Sequence, residues 1–174
     1  LEPSRVYTDK EDLNDKENRK KPYNGIIDDV EDPIDYTNDP YVVEGFEYVR
    51  KHINTSDYRL WGNNTKSIKN IVNTELSLNF PIDRKGSIAR LNYFIKHNLF
   101  RFGDYQDVMI DDPDNSFVFH SGLSPMINIG LLTPDEIIYN IIKYYFSLSK
   151  NNQAKILHNV EGYIRQVLGW REFM

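Results

Sequence analysis

From Asp83 onward, apolar residues recur at intervals of three and four, the period of an α-helix with one buried face. Ile88, Leu91, Phe94, Ile95 and Leu99 make the first stripe, and Asp83 ahead of it can cap a helix over 84–98. The sharpest local signal is Thr133-Pro134-Asp135-Glu136. Thr suits the N-cap, Pro the first helical position, and Glu136 can close a capping box. Ile137, Ile138, Ile141, Ile142, Tyr145 and Phe146 continue it, so the spacing predicts a helix over 134–150 that ends in Asn151-Asn152. Asn159 reads as the cap of a last helix over 159–173, with Val160, Tyr163, Ile164, Val167 and Leu168 as its stripe. Shorter helices are expected over 41–53, with Val42, Val43, Phe46 and Val49 on one side, and from Ser124-Pro125 to Gly130. A weaker candidate covers 66–78. No stretch alternates with the period of two that a half-buried strand needs. The predicted class is all-α, around one core.

Residues 1–40 have a different character. They hold Pro3, Pro22, Pro33 and Pro40 and few large aliphatics, too little apolar surface to offset an ordering cost of roughly 1–2 kcal/mol per residue. The expectation is a poorly ordered acidic linker over 1–40, followed by a helical domain over 41–174. The linker carries 12 acidic and 6 basic residues, so the chain's net charge of -5 resides there. The body is close to neutral, which neither demands nor excludes a nucleic-acid partner.

The 174 residues include no cysteine, which removes disulfides, thiolate zinc sites and Cys-ligated iron–sulfur clusters from this chain. His52, His97, His120 and His158 lack metal-ligand spacing. No apolar run reaches the 18 residues of a membrane span, and the first residues lack an apolar signal core. An intracellular protein without a membrane partner is expected.

Two places depart from core patterning. On the last helix the stripe continued from Val167 reaches Arg171, a guanidinium that needs an anionic partner if it faces inward. Gly162 and Gly169 on the adjoining face each cost about 1 kcal/mol relative to Ala, which a close approach at that face would explain. An Arg–carboxylate pair with ordinary helix contact at the glycines explains the same pattern. The second place is His120-Ser121-Gly122-Leu123-Ser124-Pro125, where serines and backbone amides at a helix start can cradle an anion. A plain serine cap is the alternative. The chain lacks a P-loop, a G-x-G-x-x-G and a G-x-S-x-G.

The two places belong to three linked motifs. They are Phe102-Gly103-Asp104-Tyr105-Gln106-Asp107, the run from Phe119-His120-Ser121 to Leu131-Leu132-x-Pro134, and Glu161-Gly162-x-Ile164-Arg165-Gln166-x-x-Gly169-Trp170-Arg171-Glu172-Phe173. In order and spacing they resemble the photolyase–cryptochrome superfamily. Within it, they look most like the deoxyribodipyrimidine photolyase-related branch of iron–sulfur bacterial cryptochromes and six-four photolyases. Asp15-Lys16-Glu17-Asn18-Arg19-Lys20-Lys21 is similar to the segment leading into that family's flavin domain.

The resemblance implies a partial helical FAD-binding domain of photolyase type. Tyr105, His120, Ser121, Leu123, Ser124, Gln166 and Arg171 would contact FAD, and Trp170 would face a DNA lesion. In such relatives, light-excited flavin repairs a pyrimidine photoproduct flipped out of DNA. Gly122 departs from the pattern, since many relatives carry a larger residue there, often Arg. Relatives also have an antenna domain before this region, and flavin-contacting helices and cluster cysteines after it. The chain alone is therefore expected to bind FAD weakly or not at all, to hold no iron–sulfur cluster, and to act as a lyase only beside a complementing C-terminal chain. The alternatives are a non-catalytic remnant or interaction module that has lost FAD, and a cryptochrome-type light sensor.

Overall fold

Every element that the structure describes is helical. The structure is a computed structural model and describes residues 36–52, 80–108 and 117–173; for 49, 50 and 170–173 it describes the backbone alone. Most of the expected linker, the weak helix candidate over 66–78 and the side chain of Val49 lie outside the described residues. The chain divides into two units, one over 33–82 and the other containing everything from Asp83 onward.

In the first unit, helix α1 (Pro40–His52) starts at Asp39, whose carboxylate accepts the Tyr41 N–H at 2.9 Å. Its apolar side is narrower than predicted. Val42 is buried, whereas Val43 is exposed.

The second unit begins at Asp83, whose side chain accepts the Gly86 N–H at 2.6 Å and so caps α2 (Arg84–Tyr93). The rod does not stop at 98. It passes through a π-helical turn, Phe94–Asn98, in which the Leu99 N–H reaches the Phe94 carbonyl, and ends in α3 (Leu99–Phe102). The wide turn admits one extra residue, so Phe94, Ile95, Leu99 and Phe102 are all buried. Ile88, assigned to the same stripe by its spacing, is more than one-third exposed.

The short α4 (Ser124–Asn128) is closed by Gly130 at φ 77°, with the Leu131 N–H on the Met126 carbonyl at 2.8 Å. Ser124 lies inside this helix and does not cap it; Leu123 takes the cap position without a side-chain bond. Thr133 caps α5 (Pro134–Ser147), its hydroxyl accepting the Glu136 N–H at 3.2 Å. The reciprocal half of the predicted capping box is not made. The Glu136 carboxylate turns instead to Arg84 at 2.6 Å, and Arg84 also donates to the Leu131 carbonyl at 2.6 Å. Replacing Thr133→Ala should cost about 1 kcal/mol, read as a fall of roughly 2–4 °C in Tm.

The largest revision concerns the last helix. α5 stops at Ser147 rather than 150, and α6 (Lys150–Phe173) starts nine residues before the predicted Asn159. Ser149 provides the start. Its hydroxyl accepts the Asn152 N–H at 3.4 Å, while the Gln153 amide donates to the Leu148 carbonyl at 3.0 Å. Asn159 is inside the helix and 1% exposed, and its side-chain oxygen accepts the Gly103 N–H at 2.6 Å. An Asn that resembles a cap is thus a buried bolt between α6 and the turn after α3.

α5 and α6 pack against each other, with Ile137, Ile141, Ile156 and Val160 buried. Phe146, at the end of the α5 stripe, is exposed. Phe94, Phe102 and Tyr163 form an aromatic cluster at the centre, with Tyr163 4.5 Å from Phe94 and 5.1 Å from Phe102 between ring centroids. Among the described residues no helix is long and apolar enough to cross a membrane.

Candidate functional site

The turn after α3 is fixed by its own backbone, with the Tyr105 N–H on the Phe102 carbonyl at 3.2 Å and the Val108 N–H on the Tyr105 carbonyl at 3.0 Å. The 120–123 loop is pinned against it. His120 Nε2 lies 3.3 Å from the Tyr105 carbonyl and 3.2 Å from that of Gln106. Both neighbours can only accept, so Nε2 carries the ring proton.

Arg90 on α2 holds the next residue. Its Nε donates to the Ser121 carbonyl at 2.9 Å, and its guanidinium lies 5.1 Å from the Phe117 ring centroid and 5.6 Å from that of Tyr93. Gly122 then adopts φ +62°, which an L side chain rarely does. A Cβ there would stand 3.0 Å from the Phe117 ring and 3.2 Å from Arg90 Nη2. Val118 also has a positive φ, 47°, unusual for a β-branched residue. The segment is held in an uncommon conformation by what surrounds it.

These pieces enclose a pocket of about 460 Å³ between the turn after α3, the 120–124 loop, α4 and α6. Phe102, Tyr163, Ile127 and Val167 give it apolar wall; Gln106, His120, Ser121 and Gln166 give it polar wall. Its volume lies in the range of about 300–1,000 Å³ typical of small-molecule sites.

Burial pushes the Tyr163 phenol up to about 12, while its hydrogen bond with Ser121 acts in the other direction. The phenol is therefore neutral near pH 7. An unfolded tyrosine ionises near pH 10 and the folded one near 12, so this group lowers folding stability as pH rises from about 10 to about 12. Gln106 is the other unusual group. Its carbonyl is engaged by His120, yet both polar atoms of its side-chain amide are buried and without a hydrogen-bond partner among the described residues.

Of the residues singled out from the sequence, His120, Ser121, Ser124 and Gln166 meet at this pocket. Tyr105 is not on its wall; its ring packs 5.0 Å from Phe119 and 5.4 Å from the Arg101 guanidinium. Leu123 is buried in the core and is not on the pocket wall either. Trp170 and Arg171 continue α6, and the inward direction expected for Arg171 lies outside the described side chains. At Gly169 a Cβ would meet no described atom within 4 Å, so the close approach expected there is not made by the described part of this chain. Gly162, in contrast, is buried.

Sequence reading passed over Gln106 and Tyr163, and marked Gly122 only as a departure from the pattern, not as a wall of the pocket. Tyr163 was hidden in a core stripe, since spacing cannot tell a phenol that borders a cavity from one that fills a core. Gln106 and Gly122 were inside motifs, but their roles depend on partners distant in sequence.

No family model matches the chain. Over 69 residues it is 42% identical to the uncharacterized protein R853 of Acanthamoeba polyphaga mimivirus, a match covering 40% of this chain and 48% of that protein. Over 95 residues it is 37% identical to the (6-4) photolyase of Agrobacterium fabrum, covering 55% of this chain and 17% of the photolyase. The chain thus spans about half the length of the first and less than a fifth of the second. The photolyase match supports a distant relationship to the photolyase superfamily. It does not single out a branch.

Proposed function

We propose that residues 41–174 form part of a flavin-binding module of photolyase type, in the photolyase-related branch that includes six-four photolyases, and that residues 1–40 lead into it. The observation that carries this reading is the pocket, where the 120–124 loop and Gln166 of α6, far apart in sequence, face one cavity. The 37% identity to a (6-4) photolyase supports it.

The residues present fit FAD in chemistry. Ser121 and Ser124 offer hydroxyls to a phosphate, Phe102 and Tyr163 offer aromatic wall, and the Gln106 amide, without a partner among the described residues, offers a donor and an acceptor inside the site. A buried amide left without partners costs about 1–3 kcal/mol, which a ligand with matching groups would relieve. In this reading His120, Ser121 and Ser124 hold the phosphate and ribitol side, while Tyr105 and Leu123, which are not on the pocket wall, support the loop from behind. Gln166 and Arg171 hold the remainder, and Trp170 faces a pyrimidine photoproduct in DNA. The chemistry that bound FAD supplies is light-driven electron transfer to that photoproduct. The chain has no cysteine with which to hold an iron–sulfur cluster. Lyase activity would need further helices to provide the other side of the pocket.

Equilibrium dialysis of the purified chain against FAD tests the reading. Weak, reversible uptake is expected, reduced in Ser121→Ala and strengthened by a complementing C-terminal chain. A chain that takes up no FAD at millimolar concentration, alone or complemented, overturns it.

A further inference from the structure

We propose that Gln106 sets the specificity of the pocket: its side-chain amide reads a planar heterocycle that presents a hydrogen-bond acceptor beside an N–H donor. The inference concerns the pocket assigned to flavin above, and rests on that reading only for the source of the ring.

Gln106 is fixed by its backbone while its side chain is left unmatched. Its N–H donates to the Gly103 carbonyl at 3.4 Å, and its carbonyl accepts from His120 Nε2 at 3.2 Å. With both ends of the residue held, the main chain does not carry the amide out to water. The residue is 9% exposed, and neither Oε1 nor Nε2 finds a hydrogen-bond partner among the described residues. Native proteins leave few buried polar groups in that state, because an apolar side chain of similar size avoids the loss.

The wall of the cavity indicates what would relieve it. Phe102 and Tyr163 border the same cavity, with ring centroids 5.1 Å apart, and offer apolar faces to a flat ligand. The described wall carries no lysine or arginine, and its one acidic residue is Asp107, next in sequence to Gln106. A carboxylate there favours a neutral ring bearing an N–H over an anion.

A carboxamide holds its acceptor and its donors in one plane, so it can meet two adjacent atoms of a ring at once. Adenine presents such a pair through its amino group and the neighbouring ring nitrogen. An imide ring, as in uracil or the pyrimidine end of a flavin, presents one through N–H and carbonyl. Both Gln106 amide atoms are buried where they stand, so the amide must turn about its last bond to reach the ring. That torsion is broad and two-fold, not confined to staggered wells.

The test reads stability without ligand and selectivity for the ring separately, on the whole chain. Gln106→Met nearly keeps the length of the side chain and removes both hydrogen-bonding atoms. Its Tm without ligand should rise by about 2–4 °C, because a buried group lacking a partner gives way to an apolar one. An unchanged or lower Tm overturns the proposal, since the amide would then be satisfied already, as by a buried water. Binding is read by ligand-detected NMR with adenosine and uridine, each beside a form whose donor nitrogen is fully methylated. The unsubstituted chain should bind at least one parent nucleoside about tenfold more tightly than its methylated form, and Gln106→Met should lose that preference. The parent that shows the preference identifies the edge as adenine-type or imide-type. Equal binding of parent and methylated forms, a preference that survives in Gln106→Met, or binding of none of them overturns the proposal. Nucleoside selectivity without any uptake of FAD sinks the flavin reading and leaves this assignment standing. FAD uptake without nucleoside selectivity does the reverse.

Discussion

Phe94→Ala is expected to lower folding stability by about 3–5 kcal/mol, the usual cost of removing a fully buried phenyl ring. Phe94 is 0% exposed and opens the π-helical turn that joins α2 to α3. Its ring meets Tyr163 at 4.5 Å and, edge-on, Phe102 at 6.1 Å. The loss would remove apolar burial and leave a cavity between α6 and the rod that carries the turn at 103–107. Collapse into that cavity is restricted, because Asn159 bolts α6 to Gly103 at 2.6 Å. Domains are stable by only about 5–15 kcal/mol, so such a loss should move a urea melt to a much lower midpoint. A midpoint within the error of the unsubstituted chain would mean that the cluster does not hold the helices together. Phe94→Leu, which keeps most of the volume, should recover a large part of the loss.

The second large effect is expected at Gly122. Gly122→Val places a β-branched side chain at φ +62°, where the left-handed conformation costs roughly 1–2 kcal/mol for an L residue. The added atoms must also displace the Phe117 ring and Arg90, since even a Cβ would stand 3.0 Å from the first and 3.2 Å from Nη2 of the second. Overpacking of this kind costs typically about 1–3 kcal/mol more. Moving Arg90 loosens its bond to the Ser121 carbonyl, so loss of ligand binding should accompany the loss of stability. A thermal melt and FAD dialysis on the same sample separate the two. Unchanged Tm would show that the loop can adopt a different backbone conformation without penalty. The result bears on the departure noted at this position, where the resemblance implies a larger residue than glycine. Here Phe117 and Arg90 flank that space.

Much of this architecture can be read from one dimension. The helical class, the Asp83 and Thr133 caps and the buried faces around Leu91, Phe94, Ile137 and Ile141 follow from local spacing and local chemistry. A cap needs a side chain within three residues of its amide, and a stripe needs only a period, so both are written in adjacent positions. The loop around Ser121 was legible for the same reason, as a short run of residues with a recognisable composition.

Tertiary structure decided everything that depends on distant partners. Asn159 has the composition of a cap, yet α6 runs through it, because the buried Gly103 N–H gives its side chain a better partner than a helix end would. Glu136 leaves the capping box for Arg84, a residue more than fifty positions away. The π-helical turn at 94–98 has no local signature, since it is the packing of Phe94, Leu99 and Phe102 into one core that favours the extra residue. Tyr163 and Gln106 took their meaning from a cavity, and a cavity has no sequence period. Hydrophobic spacing specifies which face of a helix turns inward; what it meets there depends on the path of the whole chain.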